Sequence, residues 1–229
     1  MQATLEKIEQ LADGIVTFWF KPEGRFRYVA GEFTEMYIPH VADERGEKRW
    51  FTLSSSPTEP LLGITTSFSE GFSSSFKQAL QGLQPGDNVR LAEPMGDFVL
   101  PKSTDIPLTF IAGGLGITPI RSIVRSLADT GQKRSIRLLR IAGPKKAHLF
   151  EGIFANYPMR LDYINSNDPS RDEMIDEHVA TVVGSATPNT MFYLAGPEKL
   201  IQRLADMLAK NGIDARQIVT DFFPGYTTF

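Results

Sequence analysis

The chain has 229 residues, 41% hydrophobic and 22% charged, with a formal net charge of -3. That length suits two compact domains of about 100 to 130 residues each, and the balance excludes both a disordered chain and a basic nucleic-acid binder. The absence of cysteine excludes disulfides, thiolate nucleophiles and cysteine-ligated iron-sulfur clusters within it. No apolar run approaches the roughly 18 to 20 residues of a membrane-spanning helix, and Met1 to Lys7 carry no signal-peptide pattern, so a cytoplasmic location is expected.

Residues 1–101 read as short alternating runs between turn residues, the pattern of an antiparallel β-barrel or sandwich. Strands are expected over Ile15 to Phe20, Glu32 to Ile38, Trp50 to Leu53, Leu61 to Thr66 and Asn88 to Ala92. Breakers separate them at Pro22-Glu23-Gly24, Ala30-Gly31, Pro57 to Pro60, Pro85-Gly86-Asp87 and Pro94 to Gly96. A helical insertion is expected over Ser74 to Leu80.

Lys102 to Pro107 reads as a linker. Beyond it, over residues 102–229, apolar strand runs alternate with amphipathic helices, which implies an α/β domain with a parallel sheet. Leu108 to Ala112, Ile136 to Ile141, Leu161 to Asn165 and Met191 to Ala195 are the expected strands. Ile120, Ile123, Val124 and Leu127 mark one buried helical stripe, and Leu200, Leu204, Met207 and Leu208 mark another.

Between the first of these strands and its helix stands Gly113-Gly114-Leu115-Gly116-Ile117-Thr118-Pro119. Glycines at such a junction let backbone amides approach a pyrophosphate, and the helix N-terminus adds a partial positive charge. Pro119 is expected at the first helical position, and the Thr118 hydroxyl is expected to donate to a phosphate oxygen. Packing alone also accounts for such a turn. A second loop, Ala195-Gly196-Pro197, ends another strand, and loops at the carboxyl ends of parallel strands line a ligand crevice.

The run Arg49-Trp50-Phe51-Thr52-Leu53-Ser54-Ser55, read with the Gly113 loop, resembles the ferredoxin-NADP reductase superfamily of flavoproteins. Gly31-Glu32-Phe33, Ser74 to Lys77, Gly96-Asp97-Phe98 and Asp221 to Tyr226 extend the resemblance over nearly the whole chain. It implies an FAD-binding antiparallel β-barrel over 1–101 and an NAD(P)-binding α/β domain over 102–229. Arg49 would then neutralise the flavin pyrophosphate, Phe51 would pack on the ring and Thr52 would stand near flavin N5. Leu53 and Ser55 belong to the same segment, and Ser74 would meet phosphate from the other side. Gly113, Gly114, Gly116, Thr118, Pro119, Ala195, Gly196 and Pro197 would hold NAD(P)H, with Phe223 and Tyr226 over the flavin face.

The family's Asn-Arg is met by Ala142-Gly143, its later Gly-Arg by Asp168-Pro169, and a frequent cysteine by Ala195. Lys145 and Lys146 follow the first of these departures and could reach a 2′-phosphate, so NADPH and NADH both stay open. The implied activity is FAD-dependent NAD(P)H oxidation, with electrons leaving to a separate acceptor, protein or small molecule. A reductase subunit of a multicomponent oxygenase-type system and a non-catalytic flavin-binding scaffold are the alternatives. His40, His148 and His178 lack metal-ligand spacing and read as surface or capping residues.

Overall fold

The computed structural model describes residues 1–68 and 74–223. The first half contains β1 (Gln2–Ala12), β2 (Ile15–Pro22), β3 (Phe33–Tyr37), β4 (Lys48–Thr52), β5 (Leu62–Ser67), α1 (Ser75–Gly82) and β6 (Asn88–Leu91). These strands form one sheet in the order β4-β3-β6-β1-β2-β5, and every pairing is antiparallel. Its two edges meet where Leu53 bridges Ile64. The sheet therefore curls round an apolar core of Phe18, Phe20, Met36, Leu53 and Ile64, to which α1 adds Phe76 and Leu80, one helical turn apart.

β1 was not among the expected strands. Ala3 and Leu5 point inward at strand spacing, but the register shifts between Leu5 and Lys7, and residues 6–10 are exposed. A bulge of this kind breaks the two-residue alternation that a sequence pattern depends on.

The second half runs β7 (Leu108–Gly113), α2 (Ile117–Asp129), β8 (Ile136–Ala142), α3 (Glu151–Ala155), β9 (Arg160–Asn165), α4 (Arg171–Gly184), β10 (Met191–Pro197), α5 (Glu198–Lys210) and β11 (Ile218–Phe223). The sheet is parallel throughout, in the order β11-β10-β7-β8-β9. Ile120, Ile123, Val124 and Leu127 of α2 cover one face against Phe110, Leu138 and Tyr193. Ile175, Val179 and Val182 of α4, with Leu200, Leu204 and Leu208 of α5, cover the other against Ile111, Leu139 and Leu194. Burial on both faces explains why the central strands are continuous apolar runs.

Strand order reverses between β7 and β10, so their carboxyl ends open the crevice characteristic of such sheets. The two halves are joined beside it. Arg121 of α2 donates to the Ser54 carbonyl at 2.9 Å and grips Glu59 with both terminal nitrogens, while Ser122 Oγ donates to the Ser55 carbonyl. The Lys102 to Pro107 connection is held too: Arg134 donates to the carbonyls of Pro101 and Ser103. Among the described residues, no helix is long and apolar enough to cross a membrane.

Candidate functional site

Alternation along β4 sends its residues to two faces. Arg49 and Phe51 face α1, with the Arg49 guanidinium 5.3 Å from the Phe76 ring centre and the Phe51 ring 5.9 Å from it. Trp50 faces the other way, 64% exposed and stacked on Phe33 at 5.3 Å. Arg49 Nη1 donates to the carbonyls of Arg45, Gly46 and Lys48. Its Nη2 is buried with no hydrogen-bond partner and lies 3.5 Å from Asp43 Oδ1. Ser74 caps α1 by accepting from the Lys77 amide at 3.3 Å. The next amide, that of Ser75, donates to Asp43 Oδ2 at 3.0 Å, and the Asp43 amide returns a bond to Ser75 Oγ at 2.9 Å. An unsatisfied guanidinium nitrogen and a helix-opening amide thus converge, and a carboxylate of this chain meets both. The Ser75 amide foremost holds Asp43 below the usual carboxylate range.

Leu53 and Ser55 turn away from that place. Leu53 is fully buried in the barrel core. Ser55 Oγ bonds Tyr28 Oη at 2.8 Å and accepts from the Gly63 amide at 2.8 Å. Thr52, at the end of β4, instead meets the other half of the chain: its hydroxyl donates to Asp221 Oδ2 at 3.5 Å. Burial pushes Asp221 up to about 6. Sequence reasoning placed Asp221 in the terminal segment but gave it no role. The signal appears only once β11 pairs with β10, setting Asp221 opposite Ala195 and Phe223 opposite Pro197. Tyr226 lies outside the described residues.

The loops after β7 and β10 touch, as expected of a shared crevice. A Cβ on Gly116 would lie 2.0 Å from the Ala195 carbonyl oxygen, so this glycine is required by close backbone approach. Gly114, at φ +56°, turns toward the β8 loop, where a Cβ would lie 3.8 Å from both Cδ and Nζ of Lys146. α2 begins at Ile117, with Gly114–Gly116 forming a single 3-10 turn before it, so Pro119 is the third helical residue rather than the first. Its missing N–H still costs nothing there, because the first-turn amides have no helical partner. Thr118 is buried and its hydroxyl donates to the Leu115 carbonyl at 2.9 Å.

The two lysines considered for a 2′-phosphate part company. Lys145 crosses to Asp13 of the first half, while Lys146 lies along Gly114. The loop that carries them is fixed from below by Arg140, a buried guanidinium donating to the carbonyls of Lys146 and Leu149. Its burial lowers Arg140 to about 10. Among the described residues no group of three or more His, Asp or Glu is placed to hold a metal.

Residues 110–206 match the family model of the oxidoreductase NAD-binding domain. Over 97% of this chain the structure superposes on 95% of ferredoxin-NADP+ reductase from Plasmodium falciparum with 2′P-AMP, at a TM-score of 0.83 and 15% identity. The fold is that of the ferredoxin-NADP reductases. It is also similar, at a TM-score of 0.78 and 21% identity, to flavohemoglobin from Malassezia yamatoensis with bound FAD and heme, covering 97% of this chain and 59% of that one. Among curated proteins, the reductase component of propane 2-monooxygenase from Rhodococcus jostii (strain RHA1) is 24% identical over 254 residues, 97% of this chain and 63% of that protein. The chain spans less than two thirds of the length of the first curated relatives it matches.

Proposed function

We propose that the chain is an FAD-dependent NAD(P)H oxidoreductase that passes electrons to a separate acceptor, with residues 1–101 holding FAD and residues 102–229 holding the nicotinamide nucleotide. The observation that carries this reading is the meeting of Thr52, at the end of the phosphate-facing strand, with Asp221, beside the crevice of the parallel sheet. That contact supports a reading in which the two proposed cofactor sites adjoin. FAD supplies the hydride-accepting and single-electron chemistry when bound, and the protein's part is distance and orientation.

Each end of the site has suitable donors. Arg49 Nη2 and the Ser75 amide suit the flavin diphosphate, and Phe51 supplies an apolar surface next to them. Thr52 and the buried Asp221 would hold a proton between the two halves of the chain. On the nucleotide side, the proximity of Lys146 to Gly114 supports a reading in which the Gly113 to Gly116 backbone and Lys146 would hold the pyrophosphate common to NADH and NADPH. Relatives that are reductase components favour a partner protein as acceptor. Ala195 leaves the nicotinamide end without a polarisable side chain.

The test is anaerobic stopped-flow absorbance of the FAD-loaded chain mixed with NADH and, separately, NADPH. Bleaching of the flavin band by either nucleotide is expected; a band that persists with both overturns the reductase reading and leaves a flavin-binding scaffold.

A further inference from the structure

The place where a flavin phosphate would bind already contains an anion belonging to the chain. Asp43 sits in the loop between β3 and β4 and engages the donors on which the proposed flavin site depends. Its Oδ2 accepts from the Ser75 amide at 3.0 Å, and its Oδ1 stands 3.5 Å from Arg49 Nη2. Arg45 Nη2 approaches the same carboxylate at 3.7 Å. The loop is docked around it: the Asp43 amide donates to Ser75 Oγ, His40 Nε2 lies 3.1 Å from that same oxygen, and the loop carbonyls of Arg45 and Gly46 accept from Arg49 Nη1. The His40 ring also packs edge-on against Phe76, the ring beneath Arg49 and Phe51.

We infer that Asp43 is a specificity-determining residue that competes with the phosphates of the flavin for Arg49 and the Ser75 amide. Two anions cannot share one guanidinium edge and one amide without like-charge repulsion. A phosphorylated flavin therefore binds only as Asp43 and its loop withdraw, whereas the isoalloxazine ring, which uses Phe51 and Thr52, is indifferent to that exchange. The consequence is a site in which displacement of Asp43 offsets part of what Arg49 and the Ser75 amide contribute, so FAD is held less tightly than those donors alone would allow. This inference rests on the flavin site proposed above.

The test is a three-ligand series on the full chain: dissociation constants for riboflavin, FMN and FAD, by fluorescence, in wild type and in Asp43→Asn, which keeps the side-chain shape and removes the charge. Expected is tightening of FAD and FMN by about tenfold, the equivalent of one charge-assisted contact, with riboflavin unchanged within about twofold. Inorganic pyrophosphate should raise the melting temperature of Asp43→Asn more than that of wild type. Equal shifts for all three flavins, or no shift for any, overturn the inference. Should Asp43→Asn fold poorly, Asp43→Ser tests the same charge with a shorter side chain. Riboflavin and FAD binding equally to both proteins sinks the competition but spares the flavin site, whereas no flavin binding to either protein sinks both.

Discussion

Single residues already carry most of the chemistry proposed, and Asp221 shows how. An aspartate ordinarily titrates at about 3.9, but burial pushes this one up to about 6. Between those values the folded chain binds a proton that the unfolded chain has released, so stability declines as pH rises through the window and stays reduced above it. Asp221→Asn removes the ionisation and its penalty. Urea unfolding should find the variant more stable than wild type above pH 6, by up to roughly 3 kcal/mol, and the gap should close toward pH 4. A gap independent of pH would detach the effect from the carboxyl. For the anion contacts, Arg49→Ala should lose FAD, read as flavin content after gel filtration, because it deletes the buried Nη2 that has no hydrogen-bond partner. Lys146→Met should weaken NADH and NADPH alike, by about three- to tenfold in Kd. Selective loss of NADPH would return Lys146 to the 2′-phosphate.

Elements fix where those residues stand. β4 presents Arg49 and Phe51 to one side only because its pairing with β3 sets Phe51 opposite Thr34 and Trp50 opposite Glu35. α2 has a double task, opening at the glycine loop and reaching back through Arg121 to Ser54 and Glu59. That guanidinium is almost fully buried, so removing its partner leaves an uncompensated charge. Glu59→Ala should cost about 3 to 5 kcal/mol of stability, measured by chemical denaturation, whereas the paired apolar replacement of both residues should cost much less. The linker between the halves is a third case. Arg134 pins the carbonyls of Pro101 and Ser103, so Arg134→Met should accelerate tryptic cleavage after Lys102. Unchanged cleavage would mean that the neighbouring packing, not the guanidinium, holds the connection.

At the scale of the whole molecule, sequence periodicity was sufficient for the two kinds of sheet. Alternation up to Leu91 and strand-helix repetition after Leu108 reflect burial on one face and on two, and each leaves its own period in the chain. The glycine loop after β7 and the Arg49 to Ser55 run were legible for the same reason: local backbone and side-chain chemistry is written in consecutive residues. Ile175, Val179 and Val182 of α4 also stand at helical spacing on its buried side. β1 was hidden by its bulge, and α3, five residues long, is too short to show a period.

What the sequence determined by itself is therefore the architecture, the order of the two candidate sites and the residue types that could serve each. Only the tertiary structure decided which of them meet. Thr52 and Asp221 are 169 positions apart, Asp43 finds Ser75 across two strands, and Lys145 and Lys146, adjacent in the chain, end on different neighbours. Contacts of this kind depend on strand pairing and on the docking of one sheet against the other. Non-local packing of that sort leaves no periodic trace in a single chain.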